Sequence, residues 1–99
     1  MQILPPTIEI VAPDHTLLEG FRLGKAVVYE SGRSVVYISS EMDPESDVFR
    51  IVVDHELSHI DAWQKHGTGI EEHGPKWRSA CMARNPDACV TDMIRPRKD

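Results

Sequence analysis

Residues 52–77, VVDHELSHIDAWQKHGTGIEEHGPKW, concentrate side chains that do chemistry together. His55 and His59 stand four apart with Glu56 between them, and His73 follows beside Gly74 and Pro75. On an α-helix, residues i and i+4 lie about 40° apart on one face, so two imidazoles reach one tetrahedral ion at Zn–N distances of about 2.0–2.1 Å. Glu56 falls about 60° round from His59, close enough to reach a water on that ion and badly placed to be a third ligand from the same helix. A general base belongs there.

A catalytic zinc keeps three protein ligands and one open position. His73 is the third ligand of this reading: Gly74 lets the backbone turn closely after it, and Pro75 opens a helix whose first turn carries Trp77. Glu71 or Glu72 stays open as an alternative, completing a set of two histidines and one glutamate. His66 shares the face of His59 but lies about 10 Å further along the axis, where it suits the dipole at the helix's carboxyl end. The metzincin pattern calls for glycine and histidine where this chain has Ala62 and Lys65, so it does not apply. Three inward imidazoles and a carboxylate buried without a metal would each need partners, at a cost in stability.

With His73 in place, HELSH and HGPKW together resemble the SprT-like zinc metallopeptidase family, through His55, Glu56, His59, His73, Gly74, Pro75 and Trp77. The resemblance implies that His55, His59 and His73 ligate Zn2+, that Glu56 takes a proton from the bound water, and that the substrate is a protein or peptide. Many members of that family also carry a four-cysteine zinc module and a strongly basic surface; this sequence has neither. Its formal net charge is -5. The tail RPRKD, with Arg95, Arg97 and Lys98, is the locally basic feature through which nucleic acid could be touched. The alternative from another class is a catalytically weak zinc-binding interaction module, its metal holding a small domain together. Structural zinc normally closes all four positions with protein ligands and has no use for a base, so Glu56 favours catalysis.

These residues need elements that aim them. The helix predicted to carry the histidine pair spans 44–66, capped by Asp43, with Pro44 at its first position, Glu45 near its positive end and Gly67 as its stop. At about 100° per residue, Arg50, Asp54, Ser58, Asp61 and Lys65 form a polar strip assigned to solvent. Phe49, Val53, Leu57 and Ile60 form a core face. Val48, Val52, His55, His59 and Trp63 form a second inward face with Glu56 at its edge. Asp54 and Asp61 are weighed as partners for a ligand's second nitrogen, but their strip assigns them to water. A second helix is predicted from Pro75 to Asn85, where Pro86 ends it, and Trp63 and Trp77 are expected to pack around the site.

Upstream, residues 7–12, 24–30 and 33–39 alternate and branch at Cβ as strands do. Ser31-Gly32 turns the last two into an antiparallel hairpin; residues 15–21 fit one or two helical turns. SVVYIS is taken as the sheet edge to which an extended substrate adds. Tyr29 and Tyr37 are candidates for stabilising an oxyanion but suit hairpin packing better.

The fold class that results is α+β: a minimal zincin-like domain, residues 1–99, with a small antiparallel or mixed sheet packed on the HExxH helix and a C-terminal helix beyond it. Ninety-nine residues with 40% hydrophobic content support one core and one domain. No apolar run approaches the roughly 20 residues of a membrane span. Cys81 and Cys89 are too few for a disulfide framework and read as a helix-core thiol and a loop thiol, which places the chain in the cytoplasm.

Overall fold

The β-branched first half forms a three-stranded sheet: β1 Thr7–Val11, β2 Gly24–Val28 and β3 Ser34–Ser39, in the order β1-β3-β2. A computed structural model of the chain describes residues 5–19 and 22–90. β2 and β3 make the expected antiparallel hairpin, with Ala26 opposite Val36. Its turn closes where Tyr29 N–H donates to Arg33 O at 2.8 Å, and Gly32 takes the positive φ, 91°, that a side chain would resist. β1 runs parallel to β3, Ile8 opposite Val36, so the sheet is mixed. This overturns the expectation that SVVYIS is an edge. β3 is the central strand, paired on both sides and buried along its length, so its backbone has no groups left for a substrate.

Alternation along β3 sends Val36 and Ile38 to one face, where with Ala26 they meet Val52, Val53 and Ile60 of the long helix. Tyr37 points to the other face. There the ambiguous segment forms a short 3-10 turn, Thr16–Leu18, with Leu18 fully buried and His15 stacked on Tyr37 at 6.0 Å between centroids. The resulting architecture is α+β, a three-stranded sheet with two helices.

Helix α1, Asp47–His66, starts one turn later than the sequence suggests. Asp43 does not cap it: its Oδ1 accepts from Glu45 N–H at 2.9 Å and folds residues 43–46 into a turn. Ser46 is the cap instead, its hydroxyl accepting from Phe49 N–H at 3.1 Å. At the other end Gly67, φ 84°, stops the helix and donates to Trp63 O at 2.7 Å. Helix α2, Pro75–Arg84, begins at the expected proline and ends at Asn85.

The strip assigned to solvent is covered in its middle, at Asp54, Ser58 and Asp61, while Arg50 and Lys65 at its ends are exposed. α2 and the 3-10 turn that follows it, Pro86–Ala88, dock along α1. Ser58 is fully buried and returns its hydroxyl to Asp54 O at 2.7 Å. Asp54 Oδ2 accepts from Asn85 Nδ2 at 2.9 Å, and Arg84 grips Asp61 through two hydrogen bonds of 2.8 and 3.0 Å. Periodicity reports which face is polar; it does not report that a second polar face covers it.

The cysteines are also corrected. Cys81, buried in α2, is joined to Cys89 in a disulfide, so neither is a thiol in this state. Pro86 stops α2, and the 3-10 turn brings the chain back past the end of the helix, a return that spacing alone does not reveal. Among the described residues no helix is long and apolar enough to cross a membrane. Arg95, Arg97 and Lys98 lie outside the described residues.

Candidate metal centre

His55 and His59 sit one turn apart on the inner face of α1, their ring centroids 5.0 Å apart. His73 enters from the loop between α1 and α2, with its centroid 5.3 Å from that of His55 and 5.0 Å from that of His59. One ring nitrogen from each of the three lies within 4.8 Å of the others. Glu71 and Glu72, the alternative third ligands, are not part of this group. Glu71 packs over Gly74, where an added Cβ would meet a Glu71 carboxylate oxygen at 2.6 Å.

The surroundings test whether these nitrogens fit a metal. His55 Nδ1 lies 3.1 Å from Ala88 O; as donor to that carbonyl it carries the ring proton and leaves Nε2 with a lone pair. His59 Nδ1 and His73 Nε2 are buried with no hydrogen-bond partner. Unpartnered buried polar atoms are costly, and a cation held among three converging imidazoles would give a partner to whichever of these nitrogens faces the common point. The donor set fits a transition metal that accepts nitrogen ligands.

Two tryptophans hold the rings. Trp77 contacts all three, at centroid distances of 5.0 Å to His55, 5.4 Å to His59 and 4.7 Å to His73, and its indole N–H reaches His55 O at 3.5 Å. Trp63 also stacks on His59, at 5.5 Å between centroids. Burial pushes the pKa of His55 down, and that of His59 down to about 3, so both imidazoles stay neutral, the ligating form, near neutral pH.

Glu56 is close to the histidines without belonging to their ligand group. It is only 6% exposed, and burial raises its carboxyl to about 7, with Lys25, Arg22 and the Ala26 backbone N–H pulling the other way. Gly24 makes this position possible. A Cβ there would come within 2.9 Å of Val52 Cγ1 and 3.2 Å of Glu56 Cγ, so the missing side chain lets β2 lie directly on α1 at the carboxylate. Glu56 and His59 open onto one cleft of about 220 Å³, bounded by Arg22 and Lys25 on the strand side and by Ile70 and Glu72 on the loop side.

Other candidates fall elsewhere. His66 lines a separate groove between α1 and α2, beside Lys65 and Lys76. Tyr29 and Tyr37 share a hydrogen bond of 2.6 Å between their hydroxyls, on the sheet side away from α1; that bond and burial raise Tyr37 to about 12. They pack the hairpin, as their β-propensity suggests. Asp54 and Asp61 do not hold a ligand nitrogen, since Asn85 and Arg84 engage them. The partner of His55 is Ala88, whose carbonyl no side-chain pattern advertises. Gly24 did leave a signal, a glycine opening a strand pattern, which marks a close approach.

No protein-family model, curated protein or solved structure gives a significant match to this chain.

Proposed function

We propose that this chain is a zinc metallopeptidase of the SprT-like type, a minimal zincin-like domain that hydrolyses peptide bonds in a protein or peptide segment. The observation that carries the reading is the division of labour within one site. Three histidines converge on a common point, while Glu56, outside their ligand group, is buried beside them and opens onto the same cleft as His59. A purely structural site gains nothing from such a carboxylate. HELSH and HGPKW supply these residues in the order and spacing of that family.

Zinc held by the three imidazoles would supply an acidified water and a polarised peptide carbonyl. Glu56 accepts the proton that the attacking water gives up and returns it to the leaving amine. Burial raises this carboxyl above its ordinary range in the metal-free chain, which favours uptake of the proton, and a cation held by the neighbouring imidazoles would draw it down again and ease the proton's return. His55 is aimed by Ala88 O, and Trp63 and Trp77 wall the imidazoles against water. Arg22 and Lys25 give the cleft a cationic side facing Glu56.

The test is metal content per chain for the parent protein and Glu56→Gln, together with cleavage of an unfolded protein substrate with and without a chelator. One zinc in both, with cleavage by the parent alone and lost on chelation, is the expected result. One zinc in both and no cleavage across a broad substrate panel would favour the interaction module. No metal in either would refute the reading.

A further inference from the structure

The disulfide and the metal centre meet at one backbone carbonyl. Cys89 directly follows Ala88, whose carbonyl oxygen lies 3.1 Å from His55 Nδ1, and its disulfide ties this end of the chain to Cys81 in α2. Ala88 is fully buried against α1. The turn that presents it is only three residues long, held within itself by Ala88 N–H to Asn85 O at 2.9 Å and Cys89 N–H to Pro86 O at 3.1 Å. Asn85 adds a side-chain contact to α1 at Asp54. The disulfide thus closes the far end of the segment that Asn85 anchors at its near end, with Ala88 between them. Cys81 is buried and Cys89 half-buried, which leaves the second sulfur as the point of attack.

We propose that Cys81 and Cys89 are positioning residues for the metal centre and form a thiol–disulfide control on it: the disulfide holds the Ala88 carbonyl on His55, and reduction releases it and weakens metal binding. The inference rests on the reading of His55, His59 and His73 as a metal site. A ligand's outer partner fixes its tautomer and orientation, and losing such a partner typically costs about 10–100-fold in metal affinity. The co-reactant is a dithiol. Its thiolate attacks the Cys89 sulfur, the S–S bond breaks, and Cys81 leaves as a thiolate that takes up a proton. The second thiol of the reductant then displaces Cys89, so two electrons and two protons pass to the protein and the reductant ends as a disulfide. Oxidation by a disulfide of higher potential runs the same steps backwards.

The experiment measures zinc affinity by competition with a chromophoric chelator. It compares the oxidised protein, the protein reduced with dithiothreitol and desalted under nitrogen, and the Cys81→Ala/Cys89→Ala double variant. Affinity is expected to fall about tenfold in the reduced protein and in the variant alike; the variant has no liberated thiols to bind zinc. In parallel, long-range 1H–15N spectra of the metal-free protein are expected to show the His55 Nδ1 resonance moving on reduction while that of His73 stays in place. Equal affinity in all three samples would overturn the proposal, as would an unmoved His55 signal. Loss of amide dispersion on reduction would also overturn it, because the fold as a whole would then depend on the disulfide. A protein whose oxidised form takes up no zinc would fail the metal reading itself. Zinc binding that is indifferent to the disulfide would fail this inference alone.

Discussion

Replacing Glu56 by glutamine is expected to stabilise the metal-free protein, increasingly so as the pH rises. The carboxyl is 6% exposed, and burial raises its pKa from 4.5 to about 7. Below pH 4.5 the folded and unfolded chains both hold the proton, and burial of the carboxyl costs little. Between 4.5 and 7 the unfolded chain ionises freely while the folded chain keeps its proton, so this group's effect on stability turns unfavourable with rising pH and is complete above 7. At about 1.4 kcal/mol per pH unit, the interval between pH 5 and pH 8 is worth about 2–3 kcal/mol, an upper figure because buried sites relax and admit water. Glutamine keeps the shape and has no proton to lose. Urea unfolding of both proteins in chelator, at pH 5 and at pH 8, gives a double difference in which the packing of the amide and the titration of the shared histidines cancel. An advantage for Glu56→Gln that grows by about 1–3 kcal/mol between the two pH values is the expected result. A double difference of zero, or one of opposite sign, would show that the carboxylate is well solvated in the folded chain and would remove the argument for a poised base.

In the Glu56→Gln background, where that opposing carboxyl is gone, metal-free stability is expected to fall as pH drops below 6.5. The unfolded chain then protonates imidazoles that folded His55 and His59 refuse, costing at least about 1 kcal/mol per pH unit in a urea titration; a flat profile from pH 6.5 to 5 would contradict the burial argument. Gly24→Ala is expected to cost about 1–3 kcal/mol, as overpacking does, and to lower the turnover of the proposed peptidase by displacing Glu56; calorimetry and a steady-state assay check the two effects, and an unchanged melting temperature would mean that β2 does not lie so close to α1. Ser46→Ala is expected to cost about 1 kcal/mol through loss of the α1 cap, whereas Asp43→Ala, read in the same urea assay, costs less.

The clustering of the three histidines was legible because its information is local. Spacing on one helix places His55, Glu56 and His59 whatever the rest of the chain does, and the glycine stop followed by His-Gly-Pro returns His73 towards them. The hairpin was legible for the same reason, its turn residues being adjacent. What sequence patterns missed involves pairing at a distance. The β-branched content of SVVYIS fits a central strand as well as an edge, and the decision came from β1, 28 residues upstream at the register of Thr7 with Val35. Asp54 and Asp61 looked solvent-bound because their partners, Asn85 and Arg84, come from the end of a second helix whose docking face carries polar groups too, and Ser58 between them is covered with its hydroxyl returned to Asp54 O. The start of α1 was misplaced by a competition between two caps, Asp43 and Ser46, that only backbone geometry resolves.

The lopsided attachment of β1 bears on how the chain folds and how it opens. Residues 22–90 hold the hairpin, both helices and the residues named at the metal centre and its cleft in one continuous stretch. Among the described residues β1 pairs with β3 alone, across a long connection, and its Ile8 and Ile10 stay about half exposed. A non-local parallel pairing repays its loop-closure entropy late, so β1 is expected to dock after the hairpin and α1 have formed and to be the first element to leave in a sub-global opening. Amides of β1 are therefore expected to exchange with solvent faster than those of β2, while the histidine cluster stays assembled in the open form.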